Sequence, residues 1–256
     1  MHSIVEEVNQ LKIMGYSERG LINSLFYELK CSKKTINLIN NMLSLVIFPY
    51  KKGNISFNIT NVKVLIEQSF SDFGDADIVL LIENNNKKQI IFIEAKVKNC
   101  QRDCWNIFNE FSKFDKGINA NKVSSSNLFV QLYHKIRFVK TLQNGDLSQL
   151  MNGINFPKCS SKSVRKIGNN NVVLNATREC LNYIKEAYFI ALVPDDDSNL
   201  RKFYQNTLIS YNPAGFQDWD IKDWGYISWK QIEVFCKINK LKGTLKNFEW
   251  NKGQIY

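Results

Sequence analysis

The spacing of apolar residues changes period several times along the chain, and those changes predict its elements. From Ser17 to residue 47 apolar positions recur at helical spacing. Leu21, Ile22, Leu25, Phe26 and Leu29 mark a first helix, with Ser17 placed to cap it and Glu18 in its first turn. Ile36, Leu38, Ile39, Met42, Leu43 and Leu45 mark a second, stopped by Pro49 and Gly53. Residues 55–98 then carry short β-branched runs: Val62 to Ile66, Ile78 to Ile82, and Ile90 to Ile93. Turn residues separate them (Ser71-Asp72-Phe73-Gly74-Asp75, and Asn84-Asn85-Asn86-Lys87), so a three-stranded antiparallel meander is expected.

Helical spacing returns over Arg102 to Gly117 and Asn127 to Gln143. A shorter helix is expected over Ala176 to Lys185, a buried strand over Tyr188 to Val193, and a helix over Asn199 to Ile209. Tyr226-Ile227 reads as a short strand and Trp229 to Lys240 as a last helix. The order α, βββ, α, β, α, β, α predicts one mixed α/β domain over residues 1–256, with no linker-like break. Residues 144–172 read as a basic, loop-rich insertion, and residues 199–256 as a C-terminal strand and helix extension.

Composition narrows the function classes. A hydrophobic fraction of 44% and a charged fraction of 23% are ordinary for a globular protein, which excludes a disordered chain or a coiled coil. No run of eighteen apolar residues occurs and the start is acidic, so neither a membrane span nor a secretory signal is expected, and a cytoplasmic protein is. The formal charge of +10 favours polyanions, nucleic acid first, against a background of general lysine use. Of six cysteines only Cys100 and Cys104 lie close, without the paired C-x-x-C of a structural zinc site, so free and mostly buried thiols are expected. The two histidines, His2 and His134, are too few for a histidine-rich metal site.

The chemistry concentrates in Gly74-Asp75-Ala76-Asp77 and Ile93-Glu94-Ala95-Lys96. With Asn85 and Asn86 at the centre of a two-residue hairpin turn, residue 84 pairs with 87, and pairing outward sets Asp77 opposite Glu94. Their Cβ atoms are then roughly 4.5–5.5 Å apart, and Lys96, two residues on, shares their face. Flanking residues on both faces are apolar, so the strands are central and the charged trio sits at one end of a dry surface. A divalent cation removes the repulsion between two facing carboxylates. Asp77, Glu94 and the Ala95 carbonyl are hard oxygen donors suited to Mg²⁺, with Mn²⁺ as an alternative. Lys96 is then placed to orient a water or offset phosphate charge.

This arrangement resembles the PD-(D/E)xK nuclease superfamily, whose restriction-endonuclease-like core runs α-β-β-β-α-β. The resemblance covers Ser17 to about Val193. It implies an α/β fold with a mixed central sheet flanked by helices, with Asp77, Glu94 and Lys96 as catalytic residues; Ala76 stands where the superfamily's proline would be. Many members add a metal-binding acid from the first helix, for which Glu18 and Glu28 compete, Glu18 being preferred. RecB-like members carry Gln-x-x-x-Tyr on the helix after the E-x-K strand. Here that stretch is Gln131-Leu132-Tyr133-His134-Lys135, so Gln131 and Lys135 share a helix face, either reaching phosphate or metal-bound water or lying solvated.

The expected function is a Mg²⁺-dependent deoxyribonuclease, an endonuclease of the restriction, defence or mobile-DNA type, with a homodimer needed for double-strand cleavage. The alternatives are an inactive nucleic-acid-binding protein of the same fold, or a nuclease acting on RNA. Asp75, Glu67 and the aromatic set Trp219, Trp224, Tyr226 and Trp229 are weaker candidates, more simply read as turn, edge and packing residues, and the basic stretch from Lys158 to Lys166 reads equally as a contact to a phosphate backbone or a solvated loop.

Overall fold

Residues 14–52, 55–85, 87–98, 104–145, 147–157 and 162–255 are described by a computed structural model of the chain. Two helices lead, α1 (Ser17–Cys31) and α2 (Thr35–Leu43), and the meander follows as β1 (Asn61–Ser69), β2 (Asp75–Asn84) and β3 (Lys87–Ala95). Then come α3 (Ile107–Asn119), α4 (Leu128–Asn144) and α5 (Leu147–Asn152), a small hairpin of β4 (Ile154–Asn155) and β5 (Val164–Arg165), and α6 (Asn171–Leu181). The chain closes with β6 (Glu186–Val193), α7 (Asp197–Phe203) running into a π-helical turn, β7 (Trp224–Ser228), α8 (Trp229–Ile238) and α9 (Lys242–Trp250).

The main sheet has the order β1-β2-β3-β6-β7. β1, β2 and β3 pair antiparallel, whereas β6 is parallel to β3 and β7 is parallel to β6. The mixed α/β class with flanking helices is therefore observed. β2 reads as an unbroken apolar run because both its faces are covered. Val79, Leu81, Ile90 and Phe92 face a core built with Leu128, Leu132 and Ile136 of α4. Ile78, Leu80, Ile91 and Ile93 face a second core with α1, α2 and α8. α4 is buried around most of its circumference, His134, Lys135 and Arg137 included, so it is a core helix and not a half-solvated one.

One local expectation changes, at the start of α1. Ser17 does not cap α1: Tyr16 is the N-cap, Ser17 has a φ of 64°, and its hydroxyl bonds the Glu18 carboxylate. The turn is held instead from α9, with Asn247 Oδ1 accepting from the Gly15 amide and Asn251 Oδ1 from the Ser17 amide, each at 2.7 Å. The close approach requires glycine, since a Cβ on Gly20 would stand 2.1 Å from the Gly15 carbonyl carbon. In the C-terminal segment β7 completes the central sheet and α9 packs on α1. Within residues 144–172 the loop carries α5 and the β4–β5 hairpin; Lys158 lies outside the described residues.

Candidate active site

The β2–β3 register runs from Asn84 opposite Lys87 to Ile78 opposite Ile93, which puts Asp77 next across from Glu94 as the hairpin reading predicts. Asn85 has the positive φ expected of that turn, at 29°; Asn86 lies outside the described residues. On the other side of β2, Ile66 faces Ile78 and Gln68 faces Ala76, so Glu67 stands across from Asp77. Three acids from three strands thus occupy one row: Glu67, Asp77 and Glu94.

Regular pairing lapses along that row. Neither Asp77 with Glu94 nor Glu67 with Asp77 forms a ladder pair, and Glu67 takes a left-handed φ of 53°. The Asp77 side chain replaces the missing bond, its Oδ2 accepting from the Ala95 amide at 2.6 Å. β3 meanwhile stays paired to β6 through Ala95, and the Lys96 amide extends that edge by donating to Leu192 O at 2.9 Å. The acid row therefore lies where β2 leaves β3 while β3 is still held from its other side.

Each carboxylate is in an unfavourable setting. Glu94 has no exposed surface, and its nearest cation is Lys135 Nζ, 3.3 Å from Oε1. Neither Glu94 oxygen accepts a well-directed hydrogen bond. Burial pushes its carboxyl up to about 7, opposed by the Lys135 ammonium and reinforced by the charge of Asp77. Burial also raises Asp77, against the opposing Ala95 amide and Lys96, with Glu18 adding to the rise. Glu67 is raised by burial and by Asp77, partly offset by Arg19, whose Nε lies 3.1 Å from its Oε2. Its Oε1 is buried without a hydrogen-bond partner.

The other candidates divide. Lys96 is half-buried; its ammonium donates to Gln131 Oε1, and its carbonyl accepts from Trp229 Nε1 at 2.8 Å. Gln131 therefore sits on the site, bound to Lys96, and is not on a solvated face. Lys135 departs from the expectation of a residue reaching phosphate, since it has no exposed surface. Glu18 is close enough to raise both Asp77 and Glu67. Glu28 is committed elsewhere. Its oxygens accept from the Gly243 and Thr244 amides at 2.8 Å and from the Thr244 hydroxyl at 2.7 Å, at the start of α9. Asp75 is exposed at the start of β2.

The residues fit a hard cation in donor chemistry: Asp77, Glu94 and the Ala95 carbonyl offer oxygen only, and the Glu94 oxygens are buried without hydrogen bonds. As they stand, no three Asp, Glu, His or Cys side chains among the described residues are grouped closely enough to hold a metal ion. Two acids and a backbone carbonyl are the offered set.

No family model, no curated protein and no solved structure matches the chain.

The remaining signals are mainly structural. Lys162, Arg165 and the Lys166 amide all hold Asp72 in the β1–β2 turn. Trp224, Tyr226 and Trp229 are fully buried, so of the four aromatic candidates only Trp219 keeps partial exposure. His134 is buried and held neutral by desolvation and by the neighbouring Arg165 and Lys135. Cys180 and Cys236 are buried, whereas Cys31 and Cys104 are exposed, against the expectation of mostly buried thiols. His2, Cys100 and Cys159 lie outside the described residues.

The sequence pattern reads Glu67 as an edge-strand charge. Its place depends on the β1–β2 register, and that connection is a 3₁₀ turn over Ser71–Phe73 with no two-residue hairpin signature.

Proposed function

We propose that the protein is a Mg²⁺-dependent nuclease of the PD-(D/E)xK type that hydrolyses phosphodiester bonds in DNA, with Mn²⁺ as an alternative metal. The observation that carries this reading is the meeting of Asp77, Glu94 and Lys96 where β2 leaves β3, with Gln131 on the Lys96 ammonium. Asp77, Glu94 and the Ala95 carbonyl would hold the cation, with Glu18 accessory to them. When bound, such a cation supplies Lewis acidity and a more acidic water. Lys96, steered by Gln131 on one side and by Trp229 through its carbonyl on the other, offsets charge on the scissile phosphate or positions the attacking water. The net charge of +10 favours association with a polyanion. One site cuts one strand, so double-strand cleavage calls for two copies.

A second reading, a DNA-binding protein without hydrolytic activity, draws support from Glu94, which is fully enclosed and already faces an ammonium. Incubation with supercoiled plasmid and Mg²⁺ separates the two. The nuclease reading expects nicking that is abolished by chelation and lowered at least a hundredfold in D77N and K96A, with DNA binding retained. Equal absence of nicking in all three proteins favours the binder. An RNA arm in the same assay tests the substrate.

A further inference from the structure

Among the described residues Lys135 is a lysine with no exposed side-chain surface, and its surroundings are unusual for a core residue. Its Nζ lies 2.9 Å from Phe73 O and 3.2 Å from both Gly74 O and Asp75 O. These three carbonyls form one unbroken run that ends two residues before Asp77. An ammonium has three N–H donors, equal in number to these carbonyls. Glu94 lies 3.3 Å from the same ammonium as its facing negative charge. Gly74 is part of the same device: its φ is 79°, and a Cβ there would stand 3.4 Å from Nζ.

The lysine therefore divides its chemistry between two strands, with hydrogen bonds to the segment leading into β2 and charge to the end of β3. Gln131, one helical turn earlier on α4, holds Lys96. We propose that Lys135 is a positioning residue that sets the spacing of Asp77 from Glu94, so that α4 defines the cation pocket from beneath. This inference rests on the cation-site reading above.

Calorimetric titration with Mg²⁺ and site-resolved amide exchange, on the full chain and its K135M variant, test it. The Mg²⁺ dissociation constant is expected to rise at least tenfold in K135M. The Ala95 amide, which donates to Asp77, is expected to exchange at least tenfold faster, while the Ile190 amide on β6 keeps its rate. Reduced thermal stability with unchanged Mg²⁺ affinity and unchanged Ala95 exchange would overturn the proposal, since that is the behaviour of an ordinary core residue. If the wild-type protein takes up no Mg²⁺, the cation-site reading fails, and Ala95 exchange alone decides on Lys135: faster supports it, equal overturns it. Should K135M fail to fold, K135M/E94Q, which also removes the stranded carboxylate charge, carries the same exchange measurement.

Discussion

Glu94 carries the sharpest single-residue consequence. Its carboxyl is pushed from the ordinary 4.5 to about 7 in the folded protein, chiefly by burial. Between those values the folded state keeps a proton that the unfolded chain has released, so stability falls as pH rises through that window and levels off on either side. The fall is about 3 kcal/mol at most. Because the buried, neutral His134 contributes in the opposite direction over the same range, the comparison with E94Q isolates the effect: urea denaturation from pH 4 to 8 is expected to show the stability of the wild type relative to E94Q falling as pH rises through this window, and a difference that stays constant or grows between pH 5 and 7 contradicts it. Glu18 and Glu28 separate equally cleanly. E28A strips the start of α9 of its acceptor and is expected to cost about 1 kcal/mol with cation binding unchanged. E18Q is expected to leave stability unchanged and to raise the Mg²⁺ concentration needed for half-maximal cleavage. Calorimetry and Mg²⁺-dependent rates on both variants check the contrast.

Among the elements, the β2–β3 hairpin was legible because two constraints agreed. A two-residue Asn turn fixes register, and an unbroken apolar run fixes burial. Together they placed Asp77 across from Glu94 before any coordinate. β1 was legible as a strand but not in register, since the 3₁₀ turn at Ser71–Phe73 has no fixed pairing rule, and Glu67 was lost with it. Helix α4 was legible in its stripe of Leu128, Leu132 and Ile136 but not in its burial, because the face of Gln131 and Lys135 reads equally well as solvated. Long-range partners decide such positions, and a helical period does not contain them. The same holds for Ser17, which has the composition of a cap but a backbone set by Asn247 and Asn251 of α9. G74A, forced into φ 79° beside the Lys135 ammonium, is expected to lose roughly 1–2 kcal/mol and to weaken Mg²⁺ binding with it; chemical denaturation paired with calorimetry measures both.

Across the whole molecule, the five-stranded sheet gathers the candidate groups from distant parts of the chain. The acid row comes from three adjacent strands, Gln131 and Lys135 from α4 on one face, and Glu18 and Trp229 from helices on the other. The C-terminal segment, read as an extension, is part of that assembly through β7 and the Trp229 indole on Lys96. Among the described residues no helix is long and apolar enough to cross a membrane. The net charge of +10 adds a testable property. DNA affinity is expected to fall linearly with salt on logarithmic axes, losing about tenfold or more between 50 and 200 mM. Fluorescence anisotropy with a labelled duplex measures it, and a salt-independent affinity argues against phosphate contacts. The cation itself offers the most direct test. Crystals grown with Mn²⁺ and measured at its absorption edge are expected to show an anomalous peak about 2.0–2.3 Å from oxygens of both Asp77 and Glu94. No peak there at saturating Mn²⁺, with Lys135 still facing Glu94, would contradict the account.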